Sequence, residues 1–274
     1  MKLSILVNNY VTSSKLLAEH GLCFYIEAHG RRILFDTGQT SALIHNARVL
    51  EVDLASIETI VLSHGHYDHT GGLESLLKLN NESKIFMHPL AFQEKYSLKN
   101  GNLKYAGIPF DLKKAVVHDN RINLNHKPLY IYDNILLSGE IPRNNDFEPI
   151  PRGLMVKEEG QLKQDNIIDE QILIIREKRG IIIVLGCSHP GVVNCTEYAV
   201  SLFPNERILM LIGGMHLNSA TTDRINKTID YLKSKHIERI IPLHCTGFEA
   251  MCDIKRAFKD RCIIGTVGDV FDID

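Results

Sequence analysis

Residues 63–72 read SHGHYDHTGG and crowd three histidines and an aspartate, His64, His66, Asp68 and His69, into six positions. They follow directly on the apolar run 59–62, TIVL. Imidazole nitrogen and carboxylate oxygen are the usual ligands of a borderline divalent ion such as zinc, so the stretch reads first as a metal site. His64 and His66, two apart in an extended segment, point the same way and can grip one ion. Asp68 and His69, where the loop turns into a helix, face a second position. The alternative is a polar loop of solvated or helix-capping histidines, which would have to gather three imidazoles, an aspartate and two closing glycines to no purpose.

The same arrangement recurs along the chain. Four times an apolar strand runs into a short polar loop that carries histidine and then into a helix: VLSHGHYDH at 61–69, VLGCSH at 184–189, LIGGMH at 211–216 and IPLHC at 241–245. Six of the 13 histidines lie in these loops. In sheet-and-helix folds, loops leaving the carboxyl ends of strands converge at one edge, where ligands collect. The helices expected behind the last three loops span 194–203, 222–235 and 248–258. The second carries Ile225, Ile229 and Leu232 at core spacing and the third Met251, Ile254 and Phe258.

The HxHxDH motif after a short strand, preceded by LFDTG at 34–38, resembles the metallo-β-lactamase superfamily. That resemblance implies an α+β chain in an αββα sandwich, two mixed sheets flanked by helices, with one or two metal ions at the sheet edges. It also implies hydrolytic, transfer or redox chemistry, and a supporting role for Asp36, which would hold a ligand's other polar atom. On this basis His64, His66 and His189 are expected to hold one ion, and Asp68, His69 and His244 the other. The chain departs from the family at two points. No TPGHT-like segment carries the third histidine, and Cys187, Ser188 and His189 stand where a bridging aspartate is usual. Cys187 and Cys245 flank expected ligands and can bind metal as thiolates. Buried cysteine is the commoner outcome, and both stay outside the ligand set. His216 is expected to move protons or touch substrate, because a neutral imidazole near a metal titrates close to working pH. His20, His29, His45, His118, His126 and His236 read as loop or helix-face residues, and His88 as a hydrogen-bonding residue at a strand end.

At 274 residues the chain can bury a large core, and a single domain over 1–274 is expected. The hydrophobic share of 44% and charged share of 23% are those of an ordinary globular protein. Thirty-one Lys and Arg against 33 Asp and Glu leave a net charge of −2, with no long-range pull towards nucleic acid or membrane. Six cysteines without paired spacing point to reduced thiols. The apolar start is a five-residue strand, 3–7, followed by Asn8 and Asn9, too short for a signal peptide or membrane span. The expectation is cytoplasmic; nothing in the sequence sets the oligomeric state.

Between these landmarks, strands 22–28 and 32–35 form a hairpin across His29 and Gly30. Ser41 is placed to cap a helix to about residue 50, and Thr70 to cap the helix after the metal loop. Strands are expected at 84–87, 129–132, 135–137, 171–176 and 181–185. Residues 91–125 lose periodicity and read as a surface excursion over the site. Residues 157–170 read as a charged loop.

A divalent ion acidifies water and can steady a leaving oxygen, so the residues support metal-assisted hydrolysis or phosphoryl and pyrophosphoryl chemistry at Asp68 and His216. The segments EHGL (19–22), LFDTGQT, LSHGHYDHTGGL, SGEIPR (138–143), GCSHPGVVN, IGGMHL and PLHCTG are similar to a branch of the superfamily named for a methanopterin-pathway enzyme. That enzyme joins a ribofuranosylaminobenzene 5′-phosphate to a dihydropterin methyl diphosphate. The resemblance implies a phosphorylated or diphosphate-bearing small-molecule substrate; Arg143 and Ser188 are the expected contacts, with a surface salt bridge the equal alternative for Arg143. The ion is expected to be zinc, with iron or manganese as alternatives. Two other classes compete: a redox or oxygen-handling metal enzyme of the same fold, and a non-catalytic metal-binding module. In the redox relatives one motif histidine is usually glutamate, a change absent here. A binding module would lack the open coordination position of a catalytic site.

Overall fold

The computed structural model describes residues 1–273. The chain divides into two compact units, one made of Met1–His126, Pro151–Asp169 and the segment from Thr266, the other of Lys127–Ile150 and Glu170–Gly265.

In the first unit, among the described residues, a seven-stranded mixed sheet changes character at Arg31–Phe35. On one side Cys23–Ala28, Lys2–Val7 and Val270–Asp272 add antiparallel strands. On the other, Thr59–Val61, Lys84–Met87 and Ile122–Leu124 add parallel ones. The expected hairpin turns through His29 and Gly30, both with positive φ, the geometry of a type I′ turn. Thr59–Val61 is buried throughout, as its unbroken apolar run implies for a strand covered on both faces. Leu34, Ile60 and Leu62 join Leu43 and Ala47 of the helix Ala42–Val49, and Leu73 and Leu76 of the helix Leu73–Leu77, in one apolar core.

Several expectations are corrected in this unit. Ser41 precedes its helix but makes no side-chain cap bond. Thr70 does not start a helix; it ends the short helix Tyr67–Thr70, and its hydroxyl donates back to the His66 carbonyl at 2.9 Å. Residues 91–125 are not one irregular excursion, and 157–170 are not a loop. Glu94–Lys99 and Asn102–Tyr105 pair with Leu154–Glu158 and Gln161–Gln164 in a four-stranded antiparallel sheet. Most of its side chains are at least partly exposed, so the apolar alternation that reveals a strand is missing. Its hairpins nonetheless turn at Asn100–Gly101 and Glu159–Gly160 with positive φ at both positions, and the Asn-Gly pair is itself a hairpin signal.

The second unit is built on a six-stranded sheet in the order Arg239–Leu243, Ile208–Gly214, Gly180–Leu185, Leu173–Glu177, Ile135–Leu137, Leu129–Tyr132. The first three are parallel neighbours. After them come the helices Val192–Leu202, Thr222–Ser234 and Phe248–Phe258, within two residues of the expected starts and one of the expected ends. Cys195 and Ala199, Ile225 and Leu232, and Ile254 and Phe258 bury one face of each helix in a common core with Ile183 and Leu211. Three of the four histidine loops therefore leave the carboxyl ends of three adjacent parallel strands.

Candidate metal centre

In the first unit, the loop after Thr59–Val61 buries all four expected residues: His64 and His69 are fully buried, and His66 and Asp68 nearly so. The ring centroid of His64 lies 4.7 Å from that of His66 and 4.3 Å from that of His69. Asp36 organises the loop. Its carboxylate accepts from the Ser63 N–H at 2.7 Å and the Ser63 hydroxyl at 2.8 Å, and lies 2.6 Å from His69 Nδ1. A carboxylate on Nδ1 fixes the proton there and turns the Nε2 lone pair to the opposite side, the arrangement found behind metal-bound histidines. His64 Nδ1 lies 2.9 Å from the Ser63 hydroxyl.

The loop is also held from below. Asp169 accepts from the Gly65 N–H at 2.8 Å and from Lys95 Nζ at 2.8 Å; Lys95 reaches Asp165 at the same distance. Burial alone would raise the Asp169 carboxyl. The charge and hydrogen bond of Lys95, the charge of His66 and the Gly65 N–H outweigh it and hold the group below the usual carboxylate range. His20, expected to be a bystander, stands 3.2 Å from an Asp68 oxygen.

The two closing glycines have a steric reason. A Cβ on Gly72 would meet the Thr37 carbonyl at 2.0 Å, and one on Gly71 the Gln39 carbonyl at 2.1 Å. Both obstacles are backbone and cannot swing away. Gly72→Ala is therefore expected to cost about 3 kcal/mol in urea unfolding and to weaken zinc binding, since Thr37 also bonds the His69 carbonyl at 2.8 Å. Wild-type stability and affinity in the variant would refute this account of the glycines.

In the second unit, Cys187, His189 and His216 each place a ligand atom within 4.8 Å of the others, as do Cys187, His244 and Cys245. The His189 and His216 rings are 4.4 Å apart. Here Glu170 does what Asp36 does in the first unit. It accepts from the Cys187 N–H at 2.8 Å, the Ser188 N–H, the His189 N–H at 2.7 Å, and lies 2.7 Å from His189 Nδ1. Arg143 donates to the His189 carbonyl at 3.0 Å, and the Ser188 hydroxyl to the Gly214 carbonyl at 2.7 Å. Burial and the neighbouring His189 lower the His216 pKa; among the described residues its Nδ1 has no hydrogen-bond partner. Burial would raise the Cys245 thiol, but bonds with Cys187 and His216 and the imidazole's charge bring it down to about 6. The six cysteines form no disulfide.

Four residues of these loops have a strained backbone, as do eight elsewhere among the described residues. Asp36, Ser188, His216 and His244 all adopt positive φ, between 45° and 60°, although none is glycine. Such residues cost roughly 1–3 kcal/mol each and persist where a site over-determines them. Nitrogen, oxygen and sulfur donors, buried and oriented by carboxylates, suit a borderline divalent ion.

Sequence reasoning did not single out Glu170, Asp169 or Lys95. Their only local signal is charge in a segment read as a loop.

Comparison with known proteins agrees with this geometry. The model of the metallo-β-lactamase superfamily matches residues 17–162. A 7,8-dihydropterin-6-methyl-4-(β-D-ribofuranosyl)-aminobenzene-5′-phosphate synthase of Methanocaldococcus jannaschii is 34% identical over 271 residues, covering 95% of this chain and 92% of that protein. A solved structure described as a metal-dependent hydrolase of the β-lactamase superfamily superposes with a TM-score of 0.86 at 29% identity, covering 100% of this chain and 99% of the other. The short form of human tRNase Z, at 14% identity and TM-score 0.56 with full coverage of both chains, shares the fold. Among the described residues no helix is long and apolar enough to cross a membrane.

Proposed function

Because the chain belongs to the metallo-β-lactamase superfamily and has its α+β fold, we propose that it is a metal-dependent hydrolase or transferase acting, as one 1–274 domain in the cytoplasm, on a phosphorylated or diphosphate-bearing small molecule. The observation that carries the proposal is the paired support of two histidines, His69 by Asp36 and His189 by Glu170, each through a buried carboxylate on Nδ1. Buried carboxylates so placed make imidazole a better and better-aimed ligand.

In this reading His64, His66 and His189 hold one ion, and Asp68, His69 and His244 a second, with zinc the expected metal. A bound divalent ion supplies a Lewis acid that brings the pKa of water from about 15.7 to about 7 and steadies a departing oxygen. Asp68 orients the attacking group and takes its proton. His216, its pKa lowered by burial and the neighbouring His189, accepts or returns a proton at Nδ1. Arg143, a cation fixed to the His189 carbonyl, and Ser188 contact the substrate. The name of the archaeal relative, a synthase of a dihydropterin-methyl ribofuranosylaminobenzene 5′-phosphate, supports a phosphorylated ligand; the motif resemblance carries the narrower reading, condensation of an aminobenzene ribofuranosyl phosphate with a dihydropterin methyl diphosphate.

The test is an assay of the zinc-loaded chain and its His66→Ala variant against phosphodiesters, thioesters and the pterin diphosphate pair. Turnover of a phosphorylated substrate by the wild type, lost in the variant and on chelation, is the expected result. Equal turnover in both proteins would remove the proposal.

A further inference from the structure

Five of the six cysteines are buried. Cys23, Cys195 and Cys262 sit inside the apolar cores, the ordinary place for a small hydrophobic side chain. Cys187 and Cys245 are placed differently. Each follows the end of a parallel strand, in the same two loops as His189 and His244, and each has imidazole nitrogen as its neighbour. Room for one sulfur is built into the strand between them: a Cβ on Gly214 would lie 2.6 Å from Cys245 Sγ and 2.6 Å from the Gly186 carbonyl. Cys245 Sγ then reaches the Cys187 carbonyl at 3.3 Å.

We propose that Cys187 and Cys245 are sulfur ligands of the ion that His244 holds. The inference rests on the reading of His244 given above and adds two donors to it. The ligand atoms of Cys187, His244 and Cys245 already lie within 4.8 Å of one another. Donors around an ion with bonds of about 2.0–2.3 Å stand about 3–4 Å apart, so the triad, already within 4.8 Å, closes by less than about 2 Å. As each sulfur–metal bond forms, any proton still on that thiol leaves to solvent. Two thiolates beside an imidazole select zinc, iron(II) or cobalt(II) over magnesium and manganese, whose preferred donors are oxygen. The chain thus sets which metal it accepts through residues outside the HxHxDH motif.

The full chain, stripped by chelator and titrated with cobalt(II), tests this. A near-ultraviolet sulfur-to-cobalt charge-transfer band is expected, about halved in Cys187→Ser and in Cys245→Ser and absent from the double variant. Circular dichroism checks that the variants are folded. X-ray absorption of the zinc-loaded wild type, which needs no variant, is expected to show a zinc–sulfur shell at about 2.3 Å. Bound metal with neither band nor sulfur shell would overturn the inference while leaving the proposed function standing, as would a band that survives in the double variant. A wild type that binds no metal at all would overturn both.

Discussion

Lys95→Met is expected to lower the free energy of unfolding by about 3–5 kcal/mol, because removing one partner of a buried ion pair leaves its counter-charge uncompensated. Lys95 is 1% exposed, and two buried carboxylates, Asp165 and Asp169, depend on its single ammonium. Denaturant titration of the wild type, Lys95→Met, Asp169→Asn and the double variant gives the coupling; the double variant is expected to recover part of the loss. The pH dependence follows from the signs. The Asp169 carboxyl lies below its ordinary value, so its contribution is present above the unfolded pKa of about 3.9 and is lost as pH falls through the lower folded value. For Lys95 burial lowers the amine, but the charges of Asp169 and Asp165 raise it further. Its contribution is therefore full below the unfolded pKa of about 10.4 and disappears as pH rises through the higher folded value. Across neutral pH both contributions are intact. Since Asp169 also holds the Gly65 N–H, the variant's motif loop is expected to bind metal more weakly as well.

Glu170→Gln is expected to weaken metal binding at His189 by 10- to 100-fold, the usual effect of losing the carboxylate behind a ligating imidazole. The substitution keeps the shape of the side chain and removes its charge. One carboxylate now accepts from three successive backbone N–H groups and stands against the His189 ring. An amide presents a single acceptor oxygen and turns donors towards donors, leaving at least one buried N–H unmatched at about 1–3 kcal/mol. Competition between protein and a zinc chelator measures the affinity, and thermal unfolding the stability. Wild-type affinity in Glu170→Gln would mean that His189 is not a metal ligand supported in this way.

What was legible in the sequence is what short-range pattern encodes. The hairpin at His29–Gly30, the parallel strands with unbroken apolar runs, and the helices behind the histidine loops follow from local periodicity and turn chemistry. Those elements bury one face or both, so their composition records their surroundings. The four-stranded sheet was not legible as strands because residues such as those of Gln161–Gln164 stay in solvent and carry no burial pattern. The supporting shell was hidden for a different reason. Gly65 and Asp169 are 104 positions apart, and Lys95 and Asp169 are 74 apart. Nothing in the local composition of a charged segment says which of its carboxylates will be buried. His20 shows the same limit: as a loop histidine it was unremarkable until the fold set it beside Asp68.

The most direct test of the metal centre is the zinc content of the full chain at equilibrium, measured by dialysis and elemental analysis for the wild type and for a His64→Ala/His66→Ala double variant that circular dichroism shows to be folded. One or two tightly held ions per wild-type chain, and at least one fewer in the variant, are expected. A wild type that retains none, or a variant that retains as many, would contradict the proposed metal centre.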